Sequence, residues 1–239
     1  MRVLIAELKL CDFLTFSSTL AFTIIGGISY PVYKPQPYLH NYALLYGFAG
    51  ILYASLASPK KQVDEIDYRY LEEVEREIYV YPARPRNISV RRLLCNVKSE
   101  GYVEPFNWRP KSIYPWHVVH LAFMPGSVFE TVILIRNPNI KLPNTIRIGV
   151  KRQGVFTVKY YQAEIKGYIN GFSDPLNLGD VIKKGYTPSS YVTLLTTRTL
   201  RRDVPYSNII AKGYYTEKKL AVIESNIEFR KITFRLPIL

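Results

Sequence analysis

Hydrophobic and polar residues alternate over positions 3–10, the period of a half-buried β-strand, so the chain opens on a first strand. Positions 15–37, rich in Ser, Gly, Pro and Tyr, break that alternation and read as a long connection. The longest apolar run, positions 42–57, is sixteen residues and contains Gly47 and Gly50. It falls short of the roughly 20 residues that a membrane-spanning helix requires and predicts a buried helix over 40–57. Asn41 is placed to cap that helix. Its two glycines would let it press against a sheet, at a propensity cost of about 1 kcal/mol each. Ser58-Pro59-Lys60-Lys61 reads as a linker. Positions 64–77 follow with seven carboxylates and two arginines, a local charge of −5 that suits a solvated helix face.

Strand patterns dominate the remainder. Positions 77–81 and 89–98 alternate like paired strands, and further strands are predicted over 118–123, 128–135, 145–149, 156–165, 191–197, 208–215, 220–223 and 227–236. Between them, positions 102–116 combine Phe106, Trp108, Tyr114 and Trp116 with Arg109, Lys111 and three prolines. Proline excludes regular pairing there, so the segment reads as a stiff loop with rings and cations, either a protruding arm or a cap on the core.

Composition narrows the function. Thirty-two Lys and Arg against 19 Asp and Glu leave +13 on 239 residues, accompanied by 20 Tyr, 11 Phe and 2 Trp. Cations neutralise phosphates and rings stack on exposed bases, a combination suited to RNA or single-stranded DNA. The hydrophobic fraction, 48%, is ample for a core. Cys11 and Cys95 are too few and too far apart for a zinc site or a disulfide framework, and the first residues meet Glu7 and Lys9 too soon for a secretory signal. An intracellular, cytoplasmic protein without a membrane partner is expected.

The sharpest local motif is Ile146-Arg147-Ile148-Gly149-Val150-Lys151-Arg152-Gln153-Gly154-Val155-Phe156, a turn with two glycines around adjacent cations between strand-like runs. Glycine lets a backbone approach a phosphate closely, and turn N–H groups add donors, although a solvated hairpin tip has the same pattern. Catalytic signatures are thin: no phosphate-binding loop, no nucleophile elbow, no paired metal ligands. His117 and His120, three apart, would lie on opposite faces of a strand, which disfavours a shared metal. His117 with Tyr46 and Lys111 offers acid/base groups for an RNA 2′-hydroxyl, and a structural histidine is the commoner outcome. Arg198, Arg201 and Arg202 form a further basic cluster, which either guides a partner or is solvated.

The segment Tyr38-Leu39-His40-Asn41-Tyr42-Ala43-Leu44 resembles the Cas-five family of CRISPR effector subunits, most closely its type I-D (Csc-one) form. It is preceded by a first strand ending Leu14-Thr15-Phe16-Ser17 and followed much later by the Arg147-Ile148-Gly149 strand and its basic turn. The resemblance is clearest over the first sixty residues and extends to 140–165; the last seventy carry no such motif. It implies an α+β, ferredoxin-like or RRM-like (RAMP) antiparallel sheet over residues 1–165. A thumb insertion is expected at about 99–117, with 17–37 as the rival segment, and a β-rich portion over 166–239. It implies a non-catalytic subunit, without cofactor or metal, that caps the 5′ repeat-derived tag of the guide crRNA in a Cascade-like complex for antiviral defence. Its partners would be a Cas-seven-type backbone subunit and a Cas-ten-like large subunit, with target DNA as a further contact.

On that reading Arg147, Lys151 and Arg152 line the tag's phosphates, Gly149 and Gly154 allow close backbone approach, and Phe16, Tyr160 or Tyr161 offer stacking faces beside Ser17. His40 and Asn41 stand at a helix start, where free N–H groups favour either an anion or simple capping. A type I-C relative cleaves RNA, which keeps an endoribonuclease as one alternative; a basic structural protein without nucleic acid is the other.

Overall fold

In the computed structural model, which describes residues 1–15, 19–25, 28–34, 37–52, 71–96, 117–148, 154–197, 204–227 and 230–239, the first strand is covered on both faces rather than one. This strand, β1 (Arg2–Leu10), lies at the centre of a six-stranded sheet. Its neighbours are β8 (Val128–Ile135) and β10 (Gly154–Gln162), with β4 (Ile78–Val80) and β5 (Arg84–Asn87) outside β8 and β9 (Thr145–Ile148) outside β10. Every pairing is antiparallel.

Helix α1 (Asn41–Leu52) lies in the connection from β1 to β4, and α2 (Leu71–Glu77) leads directly into β4. β4 therefore runs parallel to β1 with the antiparallel β8 between them, the arrangement left by one helical crossover. A ferredoxin-like unit has a second helix before its last strand. Here residues 136–144, between β8 and β9, are not helical, and the β9–β10 hairpin follows instead.

Side-chain parity on β1 sorts two cores. Leu4, Ala6, Leu8 and Leu10 face one way, into a cluster with Leu44, Leu45 and Phe48 of α1 and the rings of Phe123, Phe129 and Phe156. Val3 and Ile5 face the other way, packing with Tyr79, Tyr81, Val132 and Leu134 against a second sheet. The expected close approach of helix to sheet is found at Gly47: a Cβ there would come within 2.9 Å of Ile148 Cγ2 and 3.3 Å of the Arg147 carbonyl oxygen.

That second sheet is C-terminal. Its spine is the nineteen-residue β14 (Ile209–Ile227), with which β11 (Glu164–Phe172), β12 (Leu176–Asn177), β13 (Ser190–Thr196) and β15 (Arg230–Leu236) all pair. Ala221, Ile223, Ile232, Phe234 and Leu236 cover Val3 and Ile5. A six-residue helix, α3 (Leu178–Lys183), packs through Leu178 and Val181 against Tyr215 and Leu220 of β14.

A third, four-stranded sheet has the order β2 (Thr19–Ile25), β3 (Ile28–Lys34), β7 (His117–Phe123), β6 (Val90–Asn96). Positions 17–37 are thus not a plain connection. Ile25 pairs with Ile28, and the two flank the Gly26-Gly27 dipeptide in sequence, a two-residue hairpin signal. The rival segments meet in this sheet: the 19–34 hairpin joins, by parallel pairing of Val32 with Val119 and Tyr33 with His120, the strands that flank residues 97–116. Residues 99–116 themselves lie outside the described set.

Because Ile223 belongs to the shared inter-sheet core, Ile223→Ala should cost about 2–5 kcal/mol. It should lower the midpoint of one cooperative denaturant transition. Two separate transitions would show that the C-terminal sheet folds independently.

Candidate nucleic acid interface

The resemblance motif builds an interior joint. His40, 5% exposed, precedes the first turn of α1: its carbonyl accepts from the Leu44 N–H, and its Nδ1 accepts from the Tyr42 N–H at 3.2 Å. The capping role expected at Asn41 is thus filled by the residue before it. Asn41, 1% exposed, donates from Nδ2 to Asp180 Oδ2 at 2.8 Å and accepts from Asn177 Nδ2 at 2.9 Å. Asp180 also accepts from the Tyr42 hydroxyl at 2.5 Å and the Tyr79 hydroxyl at 2.8 Å. Asn177 caps α3 through the N–H groups of Gly179 and Asp180, and both its Nδ2 and His40 Nε2 reach the Ser207 carbonyl.

These bonds leave His40 and Asn41 facing polypeptide, not solvent, so the structure gives them a joining role in place of a phosphate contact. The imidazole uses both nitrogens as a neutral ring, a donor at Nε2 and an acceptor at Nδ1. Burial pushes its pKa down to about 4, against the opposing pull of the Ser207 carbonyl. Burial, followed by the Asp180 carboxylate, raises the Tyr79 hydroxyl well above its ordinary range, which keeps it a donor.

The exposed cations gather elsewhere. Along the second face of β1, apolar Val3 and Ile5 give way to Glu7 and then to exposed Lys9. Glu7 lies opposite Glu130 on β8, a like-charge pair that arginines offset. Arg230 reaches Glu130 at 2.6 Å and Glu7 at 3.7 Å, Arg84 bridges Glu130 at 3.3 Å and Asp174 at 2.7 Å, and Arg86 pairs with Glu7.

Beyond this ionic seam, cross-strand register puts Lys9 beside Thr157, Glu7 beside Lys159, Thr157 beside Thr145 and Val155 beside Arg147, all on one face. Lys9, Lys159, Arg147, Thr145 and Thr157 are exposed, and the three cations form no ion pair with any described residue. In sequence, β9 and β10 are joined by residues 149–153, which include Lys151 and Arg152 and lie outside the described residues.

Of the residues expected to hold RNA, Arg147 is therefore on an open cationic face, while Phe16, Ser17, Gly149, Lys151 and Arg152 lie outside the described residues. Gly154 is buried. The close approach it permits is to protein, since a Cβ would stand 2.6 Å from Leu14 Cδ1 and 3.2 Å from the Ile148 carbonyl oxygen. Tyr160 is on the opposite face from Arg147, packed against the α1 core with its hydroxyl donating to the Pro143 carbonyl; burial raises its pKa. Tyr161 packs against the inter-sheet core. Lys9 and Lys159 were not anticipated, although continuing the parity of β1 past Glu7 points to the first.

His117 and His120 lie on β7, whose side chains at those positions are outside the described set, as is Lys111. Tyr46 is half-buried against the α1 core. Among the described residues no cluster of three His, Cys, Asp or Glu could hold a metal, and no helix is long and apolar enough to cross a membrane.

These observations define a strand-rich protein with few helices, built on antiparallel sheets and carrying a cationic sheet face. The chain belongs to the Cas_Csc1 family, type I-D CRISPR-associated protein Cas5/Csc1, whose model matches residues 1–231. It is accordingly a CRISPR effector subunit, in agreement with the resemblance at residues 38–44. Among solved structures it is similar to a chain of the type III-B Cmr-beta complex bound to cognate target RNA and AMPPnP. The TM-score is 0.39 at 12% identity, over 90% of this chain and 84% of that one. Comparison with curated proteins finds no match.

Two tests address the joint. Asp180→Ala strands three buried donors, each costing about 1–3 kcal/mol, so a loss of at least about 3 kcal/mol is expected in denaturant titration, against about 1 kcal/mol for Tyr79→Phe. For His40 the unfolded ring takes a proton near pH 6.5 and the folded ring only near 4. Its contribution is complete above pH 6.5 and fades as pH falls toward 4, by up to about 3 kcal/mol. His40→Gln should flatten the fall in unfolding midpoint across that interval.

Proposed function

We propose that the protein holds the 5′ repeat-derived tag of the guide crRNA in a type I-D surveillance complex, capping one end of the assembly and supporting RNA-guided binding of target DNA. The observation that carries this reading is the open row of Lys9, Lys159 and Arg147 on one sheet face, in a chain of the Cas5/Csc1 family whose β9–β10 connection carries Lys151 and Arg152 in sequence. Exposed cations in a row, without an ion pair to any described residue, match a phosphate backbone, whose neutralisation supplies affinity without regard to sequence. The sheet is read as a RAMP, RRM-like platform in which the β9–β10 hairpin takes the place of the second helix. The four-stranded sheet built from the two insertions is the thumb. A Cas-seven-type backbone subunit and a Cas-ten-like large subunit are the neighbours. The protein binds RNA and leaves it intact.

In RNA titrations over a range of salt, Lys151→Ala with Arg152→Ala, and separately Lys9→Ala with Lys159→Ala, should weaken binding of a tag-bearing guide and reduce the salt slope by about 0.7 per lost contact. Unchanged slopes in both variants would remove this face from the mechanism. Repeat RNA incubated with the protein without metal should stay intact. Cleavage that disappears in His117→Ala would instead establish a nuclease.

A further inference from the structure

Five described strands of seven or more residues have a neighbour on one side only: β2, β6, β11, β13 and β15. Such edges expose alternate N–H and C=O groups, and charged side chains ordinarily protect them. β6 carries Arg91 and Arg92, β11 carries Glu164 and Lys166, and β15 carries Arg230, Lys231 and Arg235. β13, Ser-Tyr-Val-Thr-Leu-Leu-Thr, carries no charge, a property it shares with β2.

The part of β13 before its bulge at Thr193/Leu195 is exposed throughout, with Tyr191 at 47% and Val192 at 59%. Register continues it into an apolar shelf: Ser190 is opposite Tyr214, and Tyr214 is opposite Phe172, itself 53% exposed, with the two rings 4.9 Å apart. Val192 is opposite Lys212, which ion-pairs with no described residue.

We propose that the free edge of β13 over Ser190–Thr193 receives an extended segment of a neighbouring effector subunit, which adds a strand to the C-terminal sheet. The inference rests on the functional reading above, since it takes the neighbours from it. An exposed strand edge offers donors and acceptors at a fixed repeat, and another extended backbone satisfies both. Nucleic-acid phosphates accept but do not donate, so they would leave the carbonyl groups of the edge unmet. Self-pairing would bring together two chains of +13 each. The segment that fits is apolar where it lies over Val192 and the Phe172–Tyr214 shelf and acidic within reach of Lys212.

Hydrogen–deuterium exchange on the full chain tests this, free and assembled with guide RNA and the type I-D backbone and large subunits. Amides of residues 190–193 should slow by roughly ten-fold or more on assembly. Val192→Lys, an exposed substitution that restores an edge charge, should weaken assembly by roughly ten-fold while Val192→Thr does not and guide-tag affinity of the isolated chain stays unchanged in both. Unchanged exchange of residues 190–193 within an assembled complex overturns the inference and leaves the functional reading standing. Slowing produced by guide RNA alone, or by concentrating the isolated chain, overturns it by identifying a different occupant. Failure of the parent chain to bind both guide RNA and the subunits overturns the functional reading and this inference with it.

Discussion

A carboxylate removed from water must be met by donors, and the fold's arrangement depends on how that demand is satisfied at Asp180. Its donors come from the start of α1 and from β4, positions far away in the chain, so satisfying one buried charge sets α1, β4 and α3 against one another. Asn177 and the Ser207 carbonyl extend the same bonding to His40. An apolar contact tolerates sliding, whereas a carboxylate with three directed hydrogen bonds does not. With the start of α1 held there, Gly47 meets β9 at the close distance that only a missing side chain permits.

The central sheet turns this placement into two environments on one face. Near its start, β1 contributes Val3 and Ile5 to a dry inter-sheet core; a few residues later the same face is ionic and then open and cationic. Glu7 and Glu130 mark the change. Their repulsion is offset by Arg84, Arg86 and Arg230, which are engaged in these ion pairs, while Lys9, Lys159 and Arg147 form no ion pair with any described residue. Net charge alone does not distinguish the two sets. Which strand face a cation occupies, and whether a carboxylate lies opposite, does.

Elements whose pattern is local were legible in the sequence. The first strand, the apolar helix, the acidic helix before β4 and most of the strands follow from period and propensity, and the family from residues 38–44. The 19–34 hairpin was hidden because its strands do not alternate cleanly and β3 contains Pro31, which reads as a strand breaker, and α3 because six residues carry too little period. His40 and Asn41 were singled out by sequence, but their partners Asn177, Asp180 and Ser207 lie more than a hundred residues away, and no local rule links them. Gly154 was read as a site of close approach to RNA, whereas the group that approaches it is Leu14. A glycine reports that space is needed and not what fills it.

The parallel pairing of β3 with β7 ties together two excursions of the chain, one between β1 and α1 and one between β5 and β8. Each supplies half of a sheet that neither completes. Shortening one would remove the neighbour that the other meets at Val32–Val119 and Tyr33–His120. The same linkage delays this sheet during synthesis: the early hairpin waits unpaired until some eighty further residues have emerged, and only then gains its neighbour.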